Sequence, residues 1–339
     1  PLTIALIYDF DGTLAPGNMQ EYDFIPAVGK SNKEFWHDAN QLAEEQDADM
    51  VLTYMARMIQ EARSKGLSLR REAFQESGRR VTLYKGVREW FARINAYGAA
   101  RGIRILHYIN SSGLKEIIEG TEIAHEFRRI YACSFLYDID GVAYWPAVAV
   151  NYTNKTQFIF KINKGVESVF DSKLVNQYIE EDKRPVPFRR MIYVGDGLSD
   201  VPCMKMMRAY GGQAIAVYQA GNRAGVEDLL SKGRVDFIFP ADYREGTGLD
   251  STVKNIILPQ ALTFALPMMA NEVLNLLKGT SIAALITVVE LFGAANIQAA
   301  LTNLYLEIYI SAALIYWALS IAIERGFRFA ERRAGFYLR

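Results

Sequence analysis

Two rhythms of apolar and polar residues run along this chain. Short apolar runs rich in β-branched and aromatic residues occur at residues 4–8 (IALIY), 103–109 (IRILHYI), 191–194 (MIYV), 214–217 (AIAV) and 235–239 (VDFIF). Runs of this kind, bounded by turn residues, predict strands of a buried parallel sheet. Residues 156–163 (TQFIFKIN) read as a further strand. The second rhythm is helical. Residues 32–46 and 48–65 carry apolar side chains three and four apart (Met50, Leu52, Tyr54, Met55, Met58, Ile59), which predicts amphipathic helices. Helices are also expected over residues 84–101, opening at Lys85-Gly86-Val87, and over 222–231. The expected fold class is α/β: a Rossmann-like parallel sheet interrupted by a helix-rich insert over residues 16–81.

After residue 256 the pattern changes again. From 255 to 323 the charged residues are Glu272, Lys278, Glu290 and Glu307, against a charged fraction of 22% for the whole chain. Residues 255–271 lack charge but are broken by Pro259 and Pro267. Residues 308–323 (IYISAALIYWALSIAI) are uncharged throughout, and extension back through 304–306 reaches the ~20 residues that span a bilayer. Arg325, Arg328, Arg332, Arg333 and Arg339 follow, with Glu324 and Glu331 opposing. This bias places that end in the cytoplasm by the positive-inside rule. An α-helical, membrane-embedded C-terminal segment is therefore expected over 257–339.

The chemistry concentrates at strand ends. The first run leads into Asp9-Phe10-Asp11-Gly12-Thr13-Leu14, two carboxylates where a strand opens into a turn, the edge at which open α/β sheets bind ligands. Two such acids can divide labour, one as nucleophile or metal ligand and one as proton donor. The second run ends in Asn110-Ser111-Ser112-Gly113. There Ser111 is either a helix N-cap or, with nearby backbone N–H groups, part of an anion cradle. The run at 191–194 ends in Gly195-Asp196-Gly197-Leu198-Ser199-Asp200, whose two acids four apart can face one cation.

These motifs, in this order, resemble those of the haloacid dehalogenase-like superfamily, whose members are mostly phosphatases. The resemblance covers about residues 1–256. It implies Asp9 as nucleophile, Asp11 as acid–base, Ser111 and a lysine as phosphoryl ligands, and Asp9, Asp11, Asp196 and Asp200 as the metal site. Lys164, followed by Gly165, is the expected lysine, with Lys155 and Lys161 as rivals. Ser112 and Gly113 are expected to help bind substrate. The insert is expected to be a helical cap over the site, selecting a small phosphorylated metabolite, with Tyr22, Phe24, Trp36 and His37 as candidate pocket residues. Its Met and aromatic stripe is read as cap core. The domains expected are thus a core of 1–15 and 82–256, a cap of 16–81 and the segment 257–339.

That last segment resembles the end of a polar amino-acid ABC transporter permease. The residues that carry this resemblance are Ile257 to Leu262, Ala265-Leu266-Pro267, Asn271-Glu272, Leu277 to Ser281, the Ala312 to Ile315 run and Glu331-Arg332-Arg333. It raises a second functional reading, a membrane component of such a transporter with ABC transporter subunits as partners. In those permeases several helices and an ATPase-docking loop come earlier, where this chain carries the hydrolase-like part.

Composition narrows the chemistry further. An all-oxygen acidic set suits Mg²⁺, while two scattered cysteines (Cys133, Cys203) and three histidines give no zinc cluster. A net charge of zero gives no case for nucleic acid. Few thiols and no signal-peptide pattern suit a cytoplasmic catalytic part with its tail in the inner membrane.

Overall fold

The computed structural model describes residues 2–259, 273–277, 279 and 291–335. They form two compact units, Pro1–Lys254 and Asn255–Arg339.

The first unit is built on a seven-stranded sheet of order β4-β3-β2-β1-β5-β6-β7. The strands are β1 (Leu2–Tyr8), β2 (Ile103–Leu114), β3 (Phe127–Tyr137), β4 (Ala143–Val148), β5 (Met191–Gly195), β6 (Gln213–Tyr218) and β7 (Phe237–Pro240). All neighbours pair in parallel except β3 and β4, which form an antiparallel hairpin at one edge. Ile4 to Tyr8 have no exposed surface, as continuous apolar strands between two helical layers require. Register then sets the site. Tyr8 pairs with Ile109 on one side and with Val194 on the other. The residues that follow each strand pairing therefore emerge side by side at one edge of the sheet.

Between β1 and the helix that returns to the sheet lie α1 (Asn32–Gln46), α2 (Met50–Ser64) and α3 (Arg71–Gly78). Ser31 and Glu34 form a reciprocal capping box on α1, and the Asp49 carboxylate accepts from Val51 and Leu52 N–H at the start of α2. The apolar stripe of α2 divides: Tyr54, Met55, Met58 and Ile59 are buried, whereas Met50 and Leu52 are exposed. Helix α4 (Val87–Ala99) packs the fully buried Trp90, Phe91 and Ile94 on the sheet. Its Trp90 Nε1 donates to Tyr8 Oη at 2.8 Å, and Tyr8 Oη lies 3.1 Å from His107 Nδ1.

One expectation differs from the structure here, and one hairpin had no expectation at all. Residues 156–163 are part of α5 (Lys155–Lys164), a helix and not a strand. Its buried face is Lys155, Phe158, Ile159 and Ile162, the spacing of one helical stripe. The hairpin β3–β4 also carries no clear alternation, because Arg128, Arg129, Tyr144 and Trp145 lie along an edge half open to solvent. Beyond β5, α6 (Val201–Ala209) and α7 (Ala224–Ser231) connect the last three strands.

In the second unit, α8 (Leu291–Thr302) packs on α9 (Tyr305–Gly335). Phe292 and Tyr309 stack with ring centroids 6.1 Å apart, and Tyr309 Oη donates to Asn296 Oδ1 at 2.6 Å. Tyr305–Phe329, 25 residues, is long and apolar enough to cross a membrane. At ~1.5 Å per residue this stretch exceeds the ~30 Å hydrocarbon core. Ile310, Leu314, Trp317 and Leu319 are exposed, unlike the side chains of a core helix of a soluble protein. Residues 260–272, 278 and 280–290, which include much of the permease-like pattern, lie outside the described residues.

Candidate active site

The site gathers where β1, β2 and β5 end. Asp9 follows Tyr8 and is 5% exposed; its main-chain N–H still donates to Val194 O at 2.9 Å. Gly12 then turns the chain with φ 71°, and a Cβ there would lie 2.0 Å from Asp196 Oδ2. Only glycine fits that approach. Met19 N–H donates to Asp11 Oδ1 at 2.8 Å, which ties the proton-donor candidate to the start of the helical insert.

The expected lysine is corrected. Lys155, at the first turn of α5, is fully buried and donates to Asp9 Oδ2 at 2.8 Å and to Asp200 Oδ1 at 2.7 Å. Asn110 Nδ2 holds the Lys155 carbonyl at 3.0 Å. Lys164 lies at the other end of that helix, and its ammonium donates to the carbonyls of Val175 and Gln177, both at 2.6 Å. Lys161 donates to Ser168 O and Asp171 O. The reason is geometric: Lys155 and Lys164 are the first and last residues of a ten-residue helix, so only one of them can face the ends of β1 and β5.

Asp9, Asp196 and Asp200 bring carboxylate oxygens within 4.8 Å of one another. Asp200 is fully buried and heavily committed: Oδ1 accepts from Lys155 and from Tyr193 Oη (2.6 Å), and Oδ2 accepts from Asp196 N–H at 3.2 Å. A Cβ on Gly195 would lie 2.2 Å from Asp200 Oδ2, so the strand end is moulded to this carboxylate.

Burial dominates the electrostatics. It pushes the Asp9 carboxyl up to about 6, with the Asp200 charge adding and Lys155 opposing. Burial, then the Asp9 charge, raises Asp196 to about 8. Burial and the Asp9 charge also lift Asp11 well above the usual carboxylate range. One ammonium among these acids leaves excess negative charge, and a divalent cation with oxygen ligands would offset it. The donor set therefore fits Mg²⁺, with Asp9 and Asp196 presenting oxygens to the cleft and Asp200 behind them.

Ser111 is not a helix cap. It lies within β2, fully buried, and its Oγ accepts from Gly113 N–H at 3.1 Å while the residue still lines the cleft. Ser112 also lines it; the Ser112 carbonyl accepts from Tyr54 Oη at 2.7 Å, a bond from insert to sheet. At Gly113 a Cβ would meet Met19 Cε at 2.0 Å and Asp11 Oδ2 at 2.9 Å, so a side chain there would displace the proton-donor candidate. Cys133 and Cys203 are buried free thiols.

Above these residues opens a cleft of about 1020 Å³. One wall is Asp9, Asp11, Ser111, Ser112 and Asp196; another is the insert, through Gln20, Trp36, Asn40, Ala43 and Tyr54. Of the four candidate pocket residues, Trp36 lines the cleft. Phe24 is instead buried against Phe35 and Phe74, the Tyr22 hydroxyl donates to Pro16 O, and His37 is not among the lining residues. Gln20 has no motif signal in the sequence.

A strand-end acid pair, a buried lysine and a second acidic turn on a parallel sheet define a hydrolase of the haloacid dehalogenase-like class. Comparison with known proteins agrees: residues 6–205 match the haloacid dehalogenase-like hydrolase family, and the chain belongs to it. Residues 246–335 match the binding-protein-dependent transport system inner membrane component family.

Among curated relatives, an uncharacterised protein of Borreliella burgdorferi is 29% identical over 277 residues, 73% of this chain and 93% of that protein. The L-cystine transport system permease protein TcyL of Bacillus subtilis is 33% identical over 144 residues, 40% of this chain. The probable amino-acid ABC transporter permease YckA of the same organism is 48% identical over 68 residues, 20% of this chain. The chain spans 58% of TcyL and 30% of YckA. A solved HAD family hydrolase of Salmonella enterica is 15% identical, covers 75% of this chain and 72% of its own, and has a TM-score of 0.49. A phosphoserine phosphatase structure is 15% identical, covers 75% and 99%, and has a TM-score of 0.45.

Proposed function

We propose that the chain is a Mg²⁺-dependent phosphomonoester hydrolase that works through an aspartyl-phosphate on Asp9. The observation that carries this reading is the contact of the Asp9 carboxylate with the Lys155 ammonium, beside the raised carboxyl of Asp11. In the first step Asp9 attacks phosphorus in line with the leaving oxygen. Asp11, whose carboxyl burial and the Asp9 charge raise well above the usual carboxylate range, gives its proton to the departing alkoxide. It then takes a proton from the water that opens the acyl phosphate.

Lys155 offsets the charge of Asp9 and of the phosphoryl oxygens, and the Ser111 hydroxyl donates to one of them. Ser112 and Gly113 shape the same wall. Asp9, the Asp11 main-chain carbonyl and Asp196 would hold the cation, and Asp200 would orient Lys155 and the Asp196 amide. The bound cation would supply electrostatic relief between anionic nucleophile and anionic substrate.

The insert of residues 16–81 acts as a cap. It lines the cleft with Trp36, Asn40 and Tyr54 and is bonded to the sheet through Tyr54 and Met19. Enclosure of this kind favours a small phosphorylated metabolite over a phosphoprotein.

The C-terminal unit anchors the hydrolase at the inner membrane with the catalytic unit in the cytoplasm, a reading supported by the apolar Tyr305–Phe329 helix and the arginines near its end. The second reading, a membrane component working with ABC transporter subunits, is favoured by the family match over residues 246–335. Steady hydrolysis of p-nitrophenyl phosphate by the full chain in detergent, dependent on Mg²⁺ and abolished by EDTA, is the test. Undiminished turnover in excess chelator would reject the metal role; no turnover at saturating Mg²⁺ would reject the hydrolase.

A further inference from the structure

Beyond the phosphoryl end, the cleft is unusual in its charge. Past Asp9, Asp11 and Asp196 at that end, its lining carries two further carboxylate residues, Glu44 and Asp49, and, among the described residues, no lysine, arginine or histidine. Lys155 lies behind Asp9 and does not line it. The two insert acids lack cationic partners among the described residues. Asp49 accepts from the backbone N–H groups of Val51 and Leu52 and from Asn151 Nδ2, all neutral donors. Glu44 is exposed at the rim.

A second observation is independent of these acids. Gln20 is 1% exposed and forms part of the wall, yet its buried Oε1 has no hydrogen-bond partner. A buried acceptor without a donor is destabilising, and it is satisfied when a ligand supplies an N–H or O–H. The edge-to-face pair of Trp36 and Tyr54, centroids 5.8 Å apart, adds aromatic surface of the sort that attracts cations.

We infer that the leaving group of the substrate carries a primary ammonium: the cleft takes the phosphate monoester of an amino alcohol. The ammonium lies in the field of Glu44 and Asp49 and the Gln20 amide turns its Oε1 to it, while the phosphate lies at Asp9. A leaving group with a carboxylate or second phosphate meets uncompensated negative charge and is disfavoured. This inference rests on the phosphatase reading and deepens it.

Three probes of closely matched size separate the charges: O-phosphoethanolamine (ammonium), propyl phosphate (neutral) and phosphoglycolate (carboxylate). With the full chain in detergent and Mg²⁺, kcat/KM is expected to fall at least tenfold from the ammonium to the neutral ester, and further to the carboxylate. Gln20→Leu and, separately, Glu44→Gln are expected to narrow the ammonium-to-neutral ratio severalfold. Glu44 is exposed, so its variant remains informative if Gln20→Leu fails to fold. Hydrolysis of p-nitrophenyl phosphate, read in parallel, tests the phosphatase reading by itself. Without turnover, Mg²⁺-dependent binding of the same three probes by thermal shift is expected in the same order. An equal or reversed order in either readout, or ratios unmoved by both variants, overturns the inference.

Discussion

The Lys155 ammonium donates to Asp9 Oδ2 at 2.8 Å, across 146 residues of chain. The pair joins the end of β1 to the first turn of α5, and Asp200 shares the same ammonium. Both residues are buried, so each depends on the other to be tolerable there.

Loss of that cation should therefore harm fold and activity together. Lys155→Met leaves Asp9 and Asp200 buried without their partner and is expected to destabilise the first unit by about 3–5 kcal/mol. Turnover should fall to background. Lys164→Ala, whose ammonium holds only two carbonyls of a neighbouring turn, should keep turnover within about twofold. Urea unfolding and p-nitrophenyl phosphate hydrolysis of both variants check this; a strong activity loss in Lys164→Ala alone would reverse the assignment.

The two strand-end acids should separate by mutation. Asp9→Asn is expected to abolish turnover. Asp11→Asn retains the nucleophile and should slow the reaction by about 10²–10⁴-fold, the usual worth of general acid–base catalysis. Phospho-enzyme should accumulate in Asp11→Asn during rapid-quench labelling. Wild-type rates in Asp9→Asn would exclude the covalent route.

Stability should depend on pH with a definite sign when the cation is absent. Burial raises Asp9 to about 6 and Asp196 to about 8, above the ordinary value near ~3.9. A raised carboxyl pKa means the folded state holds protons that the unfolded state releases. That contribution to stability is complete below pH ~4 and is lost as pH rises through 6 and then 8. In EDTA, Tm should fall from about pH 5 to about pH 8.5, and Mg²⁺ should raise Tm more at the higher pH. Scanning fluorimetry with and without Mg²⁺ measures both; a Mg²⁺ shift equal at the two pH values would count against these acids as its ligands.

Gly12→Ala tests the close approach of the first turn to the second acidic turn. The φ of 71° alone costs an alanine about 1–2 kcal/mol, and its Cβ would displace Asp196. The Mg²⁺ concentration for half-maximal activity should rise. An unchanged Mg²⁺ titration would mean that Asp196 can shift without consequence.

The tail should decide where the protein partitions. The full chain is expected to sediment with membranes and to need detergent, while residues 1–256 stay soluble. Expression with an amino-acid binding protein and an ATPase should give no uptake. Robust uptake would make transport the primary function, and a full chain monodisperse without detergent would contradict the membrane anchor.

Much of the sheet and of the insert was legible in the residue order alone. The strands 4–8, 103–109, 191–194 and 214–217 were visible because strands buried on both faces must be continuously apolar, and β1, β2, β5 and β6 contain them. The helices at 32–46 and 48–65 were visible through apolar positions three and four apart, and α1 and α2 occupy them. Asp9, Asp11, Asp196 and Asp200 stand out because acids and glycines at strand ends have little other reason to occur together, and the structure brings their side chains to one edge of the sheet. Residues 156–163 read as a strand but form a helix, because a short apolar run fits either period; 155, 158, 159 and 162 share one helical face.

What the order of residues could not decide is which distant groups meet. Three lysines lie within ten residues, and only the packing of α5 against β1 and β5 chooses Lys155. Likewise nothing local marks Gln20, whose significance arises from burial beside a cleft that the insert and sheet enclose together. Backbone pattern is a local property, written in neighbouring side chains. Burial, charge compensation and an unsatisfied acceptor are properties of contacts between segments far apart in the chain, and they exist only once the fold brings those segments together.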